Sequence, residues 1–317
     1  MRNTPSPETQ LEKGKTHVAL GFVDLHQLME AELIGKAGDG PVSWFGFDIN
    51  PITVAKTKLV LAMLNEDIPI LQILQLWFST VITSEAAETL VVFSKRLILL
   101  EKDRELLHIL RCWRENAHSF TPESSLKSWK PGPKALVPLP MLKSKRDRVE
   151  YARYILTGEI FLQGARKTTG NPTFFTPSDE PFYQRCEENI FHSVDINKLD
   201  YKDSLLTSTE KRFQDNLLKL KKNIKEGLIR VTVSTANISP SNKAILDEIK
   251  RLEPATIDWS NLVSCPTRLS SRSSRSQEQR NMACDVLGQT SLTTLPPRTS
   301  SPLRNSDQLR EQTTLST

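Results

Sequence analysis

The stretch Val42-Ser43-Trp44-Phe45-Gly46-Phe47-Asp48-Ile49-Asn50-Pro51 constrains the fold more than any other part of this 317-residue chain. Val42, Trp44, Phe45 and Phe47 read as a buried strand that ends on one carboxylate, Asp48. Asn50 then supplies a helix N-cap and Pro51 a first helical position, where proline's missing N–H costs nothing. Strand, acid at the carboxyl end, helix start: open α/β sheets build a ligand crevice in that order. In nucleotide-type folds an acid placed there accepts hydrogen bonds from ribose hydroxyls. The other reading makes Asp48 a helper in capping the next helix, and the residues alone leave both open.

Upstream, residues 16–22 read as a short strand stopped by Gly21. Residues 23–30 read as a turn passing into a helix with Leu25, Leu28 and Met29 on one face. The glycine-rich loop 35–40 leads into the Val42–Asp48 strand, completing a strand–helix–strand unit of about 30 residues. Gly21 lies where a phosphate or cofactor loop would sit, but the G-x-G-x-x-G fingerprint is absent.

Downstream of Pro51 the pattern is helical. Val54, Leu59, Leu61, Ala62 and Leu64 mark a first helix, and Ile70, Leu71, Leu74, Trp77, Phe78 and Val81 a second. A third spans residues 85–100 with Ser84 as its cap, and a fourth spans 104–116. No strand signal interrupts about 65 residues, longer than a plain alternating α/β fold allows. A helical insertion at about 51–117 is the expectation. Prolines and Gly132 make residues 118–140 a loop with at most short extended pieces. The basic run Lys143, Lys145, Arg146 and Arg148 opens another helix, and without aromatic interleaving it reads as a solvated face rather than an RNA contact. Residues 158–161 and 168–175 read as irregular loop with a buried aromatic pair, Phe174 and Phe175. Thr207 and Glu210 fit a capping box for a helix carrying Phe213, Leu217, Leu220 and Ile224, with Gly227 as its stop. A β-branched strand at 228–233, a helix at 244–252 and a last strand and turn at 254–261 follow.

Residues 1–14 are rich in Pro, Ser, Glu and Lys, and residues 264–317 are rich in Ser, Thr, Arg and Gln. Neither can bury enough apolar surface to offset its ordering entropy, so both are predicted to be disordered around one domain at 15–263. Net charge of +5 is modest and spread out, and does not by itself argue for nucleic acid. The four cysteines, Cys112, Cys186, Cys265 and Cys284, lack the spacing of a zinc knuckle or a secreted disulfide framework. His17, His26, His108, His118 and His192 make no metal site at their spacings. No apolar leader or membrane-length run occurs, which points to a cytoplasmic chain.

Several short motifs, taken in order, resemble one family. Gly21-Phe22-Val23-Asp24-Leu25-His26 is similar to its glycine/aspartate loop. Phe47-Asp48-Ile49-Asn50-Pro51 is similar to its second-strand signature and Leu76-Trp77-Phe78 to its "LW" helix. Thr157-Gly158-Glu159-Ile160-Phe161, Gly170-Asn171-Pro172-Thr173-Phe174-Phe175 and Asp258-Trp259-Ser260-Asn261 resemble its later motifs. The family is the domain of unknown function 4470, found in dynein axonemal assembly factor 3 proteins and in assorted MYND-finger proteins. The resemblance covers about residues 15–263 and implies a methyltransferase-like Rossmann core, an open and mainly parallel sheet, with helical insertions. It also implies a role in cytoplasmic preassembly of dynein arms rather than catalysis. The chain departs from the family at Val23, where a second glycine is usual, and at His26, where an arginine is usual. A β-branched valine disfavours the left-handed backbone that a cofactor loop wants. The family's continuation after Asn261 is missing, as in a shortened member, and no MYND-type cysteine cluster is present.

The expected function is therefore a non-catalytic protein-binding or assembly factor on a degenerate methyltransferase-like fold. Its partners would be proteins of dynein-assembly or chaperone-type machinery, with no membrane, nucleic acid, metal, cofactor or catalytic residue involved. The alternative is an S-adenosylmethionine-dependent methyltransferase with Gly21 and Asp24 in the cofactor loop and Asp48 on the ribose. Helix capping by Asp24 competes with that role.

Overall fold

The computed structural model describes residues 10–21, 25–36, 38–129, 142, 144–162, 167–174, 204–239 and 241–258. In chain order its elements begin with β1 (Gln10–Glu12), β2 (Thr16–Leu20), α1 (His26–Glu30), β3 (Glu32–Ile34) and β4 (Val42–Asp48). Then come α2 (Pro51–Leu64), α3 (Ile70–Phe78), β5 (Val81–Thr83), α4 (Ser84–Leu100), α5 (Arg104–Asn116), α6 (Pro122–Ser128) and α7 (Lys145–Thr157). The series closes with β6 (Thr168–Gly170), a 3-10 turn at Pro172–Phe174, α8 (Leu205–Lys225), β7 (Ile229–Thr235), α9 (Lys243–Arg251) and β8 (Thr256–Asp258).

A four-stranded sheet, ordered β7-β4-β2-β8, organises the molecule. All its neighbours run parallel, with Leu20 opposite Phe47 and Asp48 opposite Thr235. Parallel strands need covering on both faces, and the side-chain alternation of β2 and β4 supplies two apolar surfaces. Ala19, Val42 and Trp44 point into the large core shared with α1, α2 and α8. Val18, Leu20 and Phe47 point to the opposite face, where Ile249 of α9 closes a smaller core. The chain is thus α/β with a parallel sheet between helical layers.

The helical layer is built around α2, whose Ile52, Val54, Ala55, Leu59, Val60, Met63 and Leu64 are all buried. A helix apolar on several sides belongs in the middle of a domain rather than at its surface. Asn50 caps it as expected, accepting the Ile52 N–H at 3.0 Å, and Pro51 occupies its first turn. Helices α4 and α5 form a hairpin against it through Leu90, Phe93, Leu106, Ile109, Leu110 and Trp113. Asp103 caps α5 by accepting from Glu105 and Leu106.

Several sequence expectations need correction. Residues 81–83 do not extend the second helix: they form β5, antiparallel to β6, so a small two-stranded sheet interrupts the insertion and residues 168–170 are strand rather than irregular loop. Thr83, not Ser84, caps α4 by accepting from the Ala86 N–H. Pro122 begins α6 instead of breaking a loop, since proline fits a first helical turn and Thr121 accepts the Ser124 N–H there. Gln10–Glu12 lie in β1, paired with β3, within the segment expected to be disordered. Ser204, not Thr207, caps α8. The stop at Gly227 is as expected: its N–H donates to Ile224 O and that of Leu228 to Asn223 O, a Schellman motif that needs the glycine's positive φ of 69°. Asp24, Val23, Phe175, Trp259 and the expected tail at 264–317 lie outside the described residues.

Candidate functional site

The parallel sheet carries Gly21, Asp48 and Thr235 to its carboxyl edge. Gly21 follows β2 with φ of 71°, a left-handed turn that favours glycine, and its N–H donates to Phe47 O at 2.8 Å. Asp48 ends β4 beside it and faces Thr235 of β7 in register. The structure thus places Gly21 and Asp48 side by side. Asp24, their expected companion, falls outside the described residues.

Asp48 is only 7% exposed. Its Oδ1 accepts the Asn50 N–H at 2.7 Å, and Asn50 repeats the pattern two residues on with Ile52. Two successive turns of this kind lead the chain from strand into α2, so Asp48 helps to shape the helix entrance. Burial disfavours its charged form and pushes its pKa up to about 6, against the opposing pull of the Asn50 hydrogen bond. The neighbouring Thr235 hydroxyl is buried without a hydrogen-bond partner among the described residues. Nothing in the sequence singles out Thr235, because its orphaned state depends on the β4–β7 register.

At the opposite, amino end of β2 a cavity of about 450 Å³ is lined by Glu12, Lys13, Lys15 and Asp39 among others. Its acids and lysines balance. Gly14 there sits against Asp39, where an added Cβ would fall 2.0 Å from the carbonyl oxygen, so this glycine serves chain packing.

The segments 75–83, 157–161 and 170–174 meet elsewhere, in a buried polar junction behind α3. Asn171 donates from its Nδ2 to the carbonyls of Gln75, Leu76 and Ser79, at 3.2, 3.2 and 2.8 Å. These carbonyls lie at the C-terminal end of α3 and its cap Ser79, where helix carbonyls run short of partners; that of Gln75 also accepts the Ser79 N–H. Thr173 adds a bond to Leu76 O and donates its own N–H and hydroxyl to Asn171 Oδ1. Gln75 reaches out of α3 to Phe161 O at 2.7 Å and receives the Thr83 N–H and hydroxyl. Glu210 of α8 accepts the Phe161 N–H at 3.0 Å. Phe161 has φ of 61°, and these two side chains grip both sides of that left-handed residue. Glu210, read from sequence as half of a capping box, is instead this cross-tie.

Gly158 ends α7 with φ of 68° and packs where a Cβ would come within 2.5 Å of Thr80 Cγ2 and 2.6 Å of the Trp129 ring. Thr80 donates its hydroxyl to Thr157 O, and Trp129 donates to Ile155 O. Around this junction Trp77, Phe78, Phe161 and Phe213 stack or meet edge to face. Its chemistry is that of a joint: amides and hydroxyls bound to backbone, enclosed by aromatic rings. Among the described residues no group of three or more His, Cys, Asp or Glu side chains could hold a metal ion. No described helix is long and apolar enough to cross a membrane.

Comparison with known proteins finds no matching family model, no matching curated protein and no matching solved structure.

Proposed function

We propose that this chain is a non-catalytic protein-binding or assembly factor on a degenerate methyltransferase-like fold, with dynein-arm preassembly as the setting its sequence resemblance implies. One observation carries the reading. Asn171 and Thr173 of its family-like motifs, together with Gln75 and Glu210, are committed to buried backbone groups and hold the helical layer rigid. Chemistry invested in a joint serves a surface that must keep its shape. Asp48 fits the same reading, because its carboxylate is buried and turned to the α2 entrance. The partners would be proteins of assembly or chaperone-type machinery in the cytoplasm, rather than a membrane or a nucleic acid.

The alternative, an S-adenosylmethionine-dependent methyltransferase, draws on one specific observation. Ranked by sequence, the sheet order is third, second, first, fourth, the order with which dinucleotide-type sheets begin. In that scheme Asp48 occupies the ribose position, with the orphaned Thr235 hydroxyl beside it. The residues fit a ribose in kind, since a carboxylate and a hydroxyl suit its diol. Burial of Asp48 and a valine at position 23 weigh against it.

Calorimetric titration of the full chain with S-adenosylmethionine, with Asp48→Asn as control, separates the two. No heat of binding from the folded wild type supports the assembly reading. Micromolar binding that the substitution removes refutes it and opens a substrate search.

A further inference from the structure

The basic run that opens α7 stays outside the joint described above, and its acids and bases part company in three dimensions. Asp147 and Glu150 each turn a carboxylate oxygen inward. Asp147 Oδ1 accepts the Leu205 N–H at 2.9 Å and Glu150 Oε2 the Leu206 N–H at 3.4 Å, so both serve the first turn of α8. That turn has unpartnered N–H groups and a positive dipole end, which carboxylates satisfy. The outward face of α7 is left with Lys145, Arg146 and Arg153, all exposed, and with no exposed acid among them.

Between these cations stand Val149 and Leu156, 60% and 72% exposed. Seven residues apart, they lie on one stripe about 10.5 Å long. Arg146 pairs with Glu150 and Arg153 with Glu159, but both guanidinium side chains keep more than half of their surface in water. Such exposed pairs hold little free energy and exchange readily for an external carboxylate.

Resting on the assembly-factor reading above, we infer that the outward face of α7 is a docking surface for an acidic amphipathic helix of a partner protein. Charge complementarity selects the acidic partner. The two-turn spacing of Val149 and Leu156 matches the heptad seam of a facing helix, and a phosphate polymer has no use for that apolar pair. The joint behind α3 gives the face its rigidity, since α7 ends at Gly158 and is held by Thr80 and Trp129.

The test is fluorescence anisotropy of a labelled three-heptad alanine–glutamate peptide with one leucine per heptad, titrated with the full chain. A uridylate oligomer of equal charge is titrated in parallel. The inference expects saturable peptide binding that weakens with salt, falls at least about tenfold in Val149→Ser/Leu156→Ser, and falls as far in Lys145→Glu/Arg153→Glu. All four side chains are exposed and none serves the α8 cap, and circular dichroism checks each variant's fold. If one variant fails to fold, the other still decides. Absence of saturable peptide binding by the folded wild type overturns the inference. So does peptide binding indifferent to both variants, or tighter binding of the uridylate oligomer. S-adenosylmethionine titration of the same preparation reports separately on the assembly-factor reading, so a failure of either is distinguishable.

Discussion

The carboxyl edge of the parallel sheet and the junction behind α3 are both buried and polar, yet they differ in how completely their groups are satisfied. At the junction Asn171 spends both donor and acceptor, and Gln75 does the same toward two segments; the buried Ser125 hydroxyl beside Gly170 is left over there among the described residues. At the sheet edge the Thr235 hydroxyl has no partner among the described residues, and Asp48 is an acid held where its charge is disfavoured. A largely satisfied network rigidifies a fold, whereas unsatisfied groups store cost. The first region is a joint. The second is where the fold tolerates loss.

The largest effect should come from breaking the joint. Asn171→Ala leaves the carbonyls of Gln75 and Ser79 without that partner inside the core, a loss of about 3–5 kcal/mol. Thermal unfolding should fall by ~10 °C or more; a fall of only a degree or two would show that the junction relaxes around the gap. Gly158→Ala comes next. Its added methyl meets Thr80 and Trp129 on a left-handed backbone, at a cost of about 2–4 kcal/mol read from denaturant midpoints.

Asp48→Asn should act in the opposite direction, which sharpens the contrast. Its carboxyl is raised from 3.8 to about 6 in the folded chain, so between those values the folded state holds the proton more tightly. Stability from this group is therefore lost as pH rises through that window. Asparagine keeps the acceptor for the Asn50 N–H and removes the charge. The variant should gain on the order of 2–3 kcal/mol over wild type at pH 7.5 and almost nothing near pH 3, as urea melts at both values would show.

The smallest predicted effect belongs to His17. Buried between β1 and β8, with Nδ1 2.7 Å from Thr256 Oγ1, it has its pKa lowered by desolvation. The unfolded chain then binds the proton more readily, so this group withdraws stability as pH falls below 6.5. His17→Gln should flatten that acid-side slope, measured as Tm against pH, without altering the slope owed to Asp48.

Long periodic elements were legible because burial and period agree in them: β4, α2, α5 and α9 follow from apolar spacing and from caps such as Asn50. The misses share a physical cause. Val81-Ile82-Thr83 is only a short strand, and its partner Thr168-Thr169-Gly170 lies far along the chain, so local apolar character let it pass as helix. Pro122 was read as a breaker, although it stands where a helix can begin. Asp48 was legible as an acid at a strand end, but its burial and its raised pKa depend on what packs over it. The ties of Asn171 and Thr173 are out of reach for the same reason: short motifs such as Gly170-Asn171-Pro172 show a turn, while the α3 carbonyls they bind are about 95 residues away in sequence, and the Phe161 N–H that Glu210 accepts is 49 away.

Thermal melts of wild type and Asp48→Asn at pH 7.5, each with and without saturating S-adenosylmethionine, test the central claim most directly. The account predicts a higher Tm for Asp48→Asn and no shift from the ligand in either protein. A ligand that binds only the folded state at a hundredfold over its Kd adds about 2.7 kcal/mol, an effect such melts resolve easily. A concentration-dependent rise in wild-type Tm that Asp48→Asn abolishes would contradict the account and make the sheet edge a cofactor site.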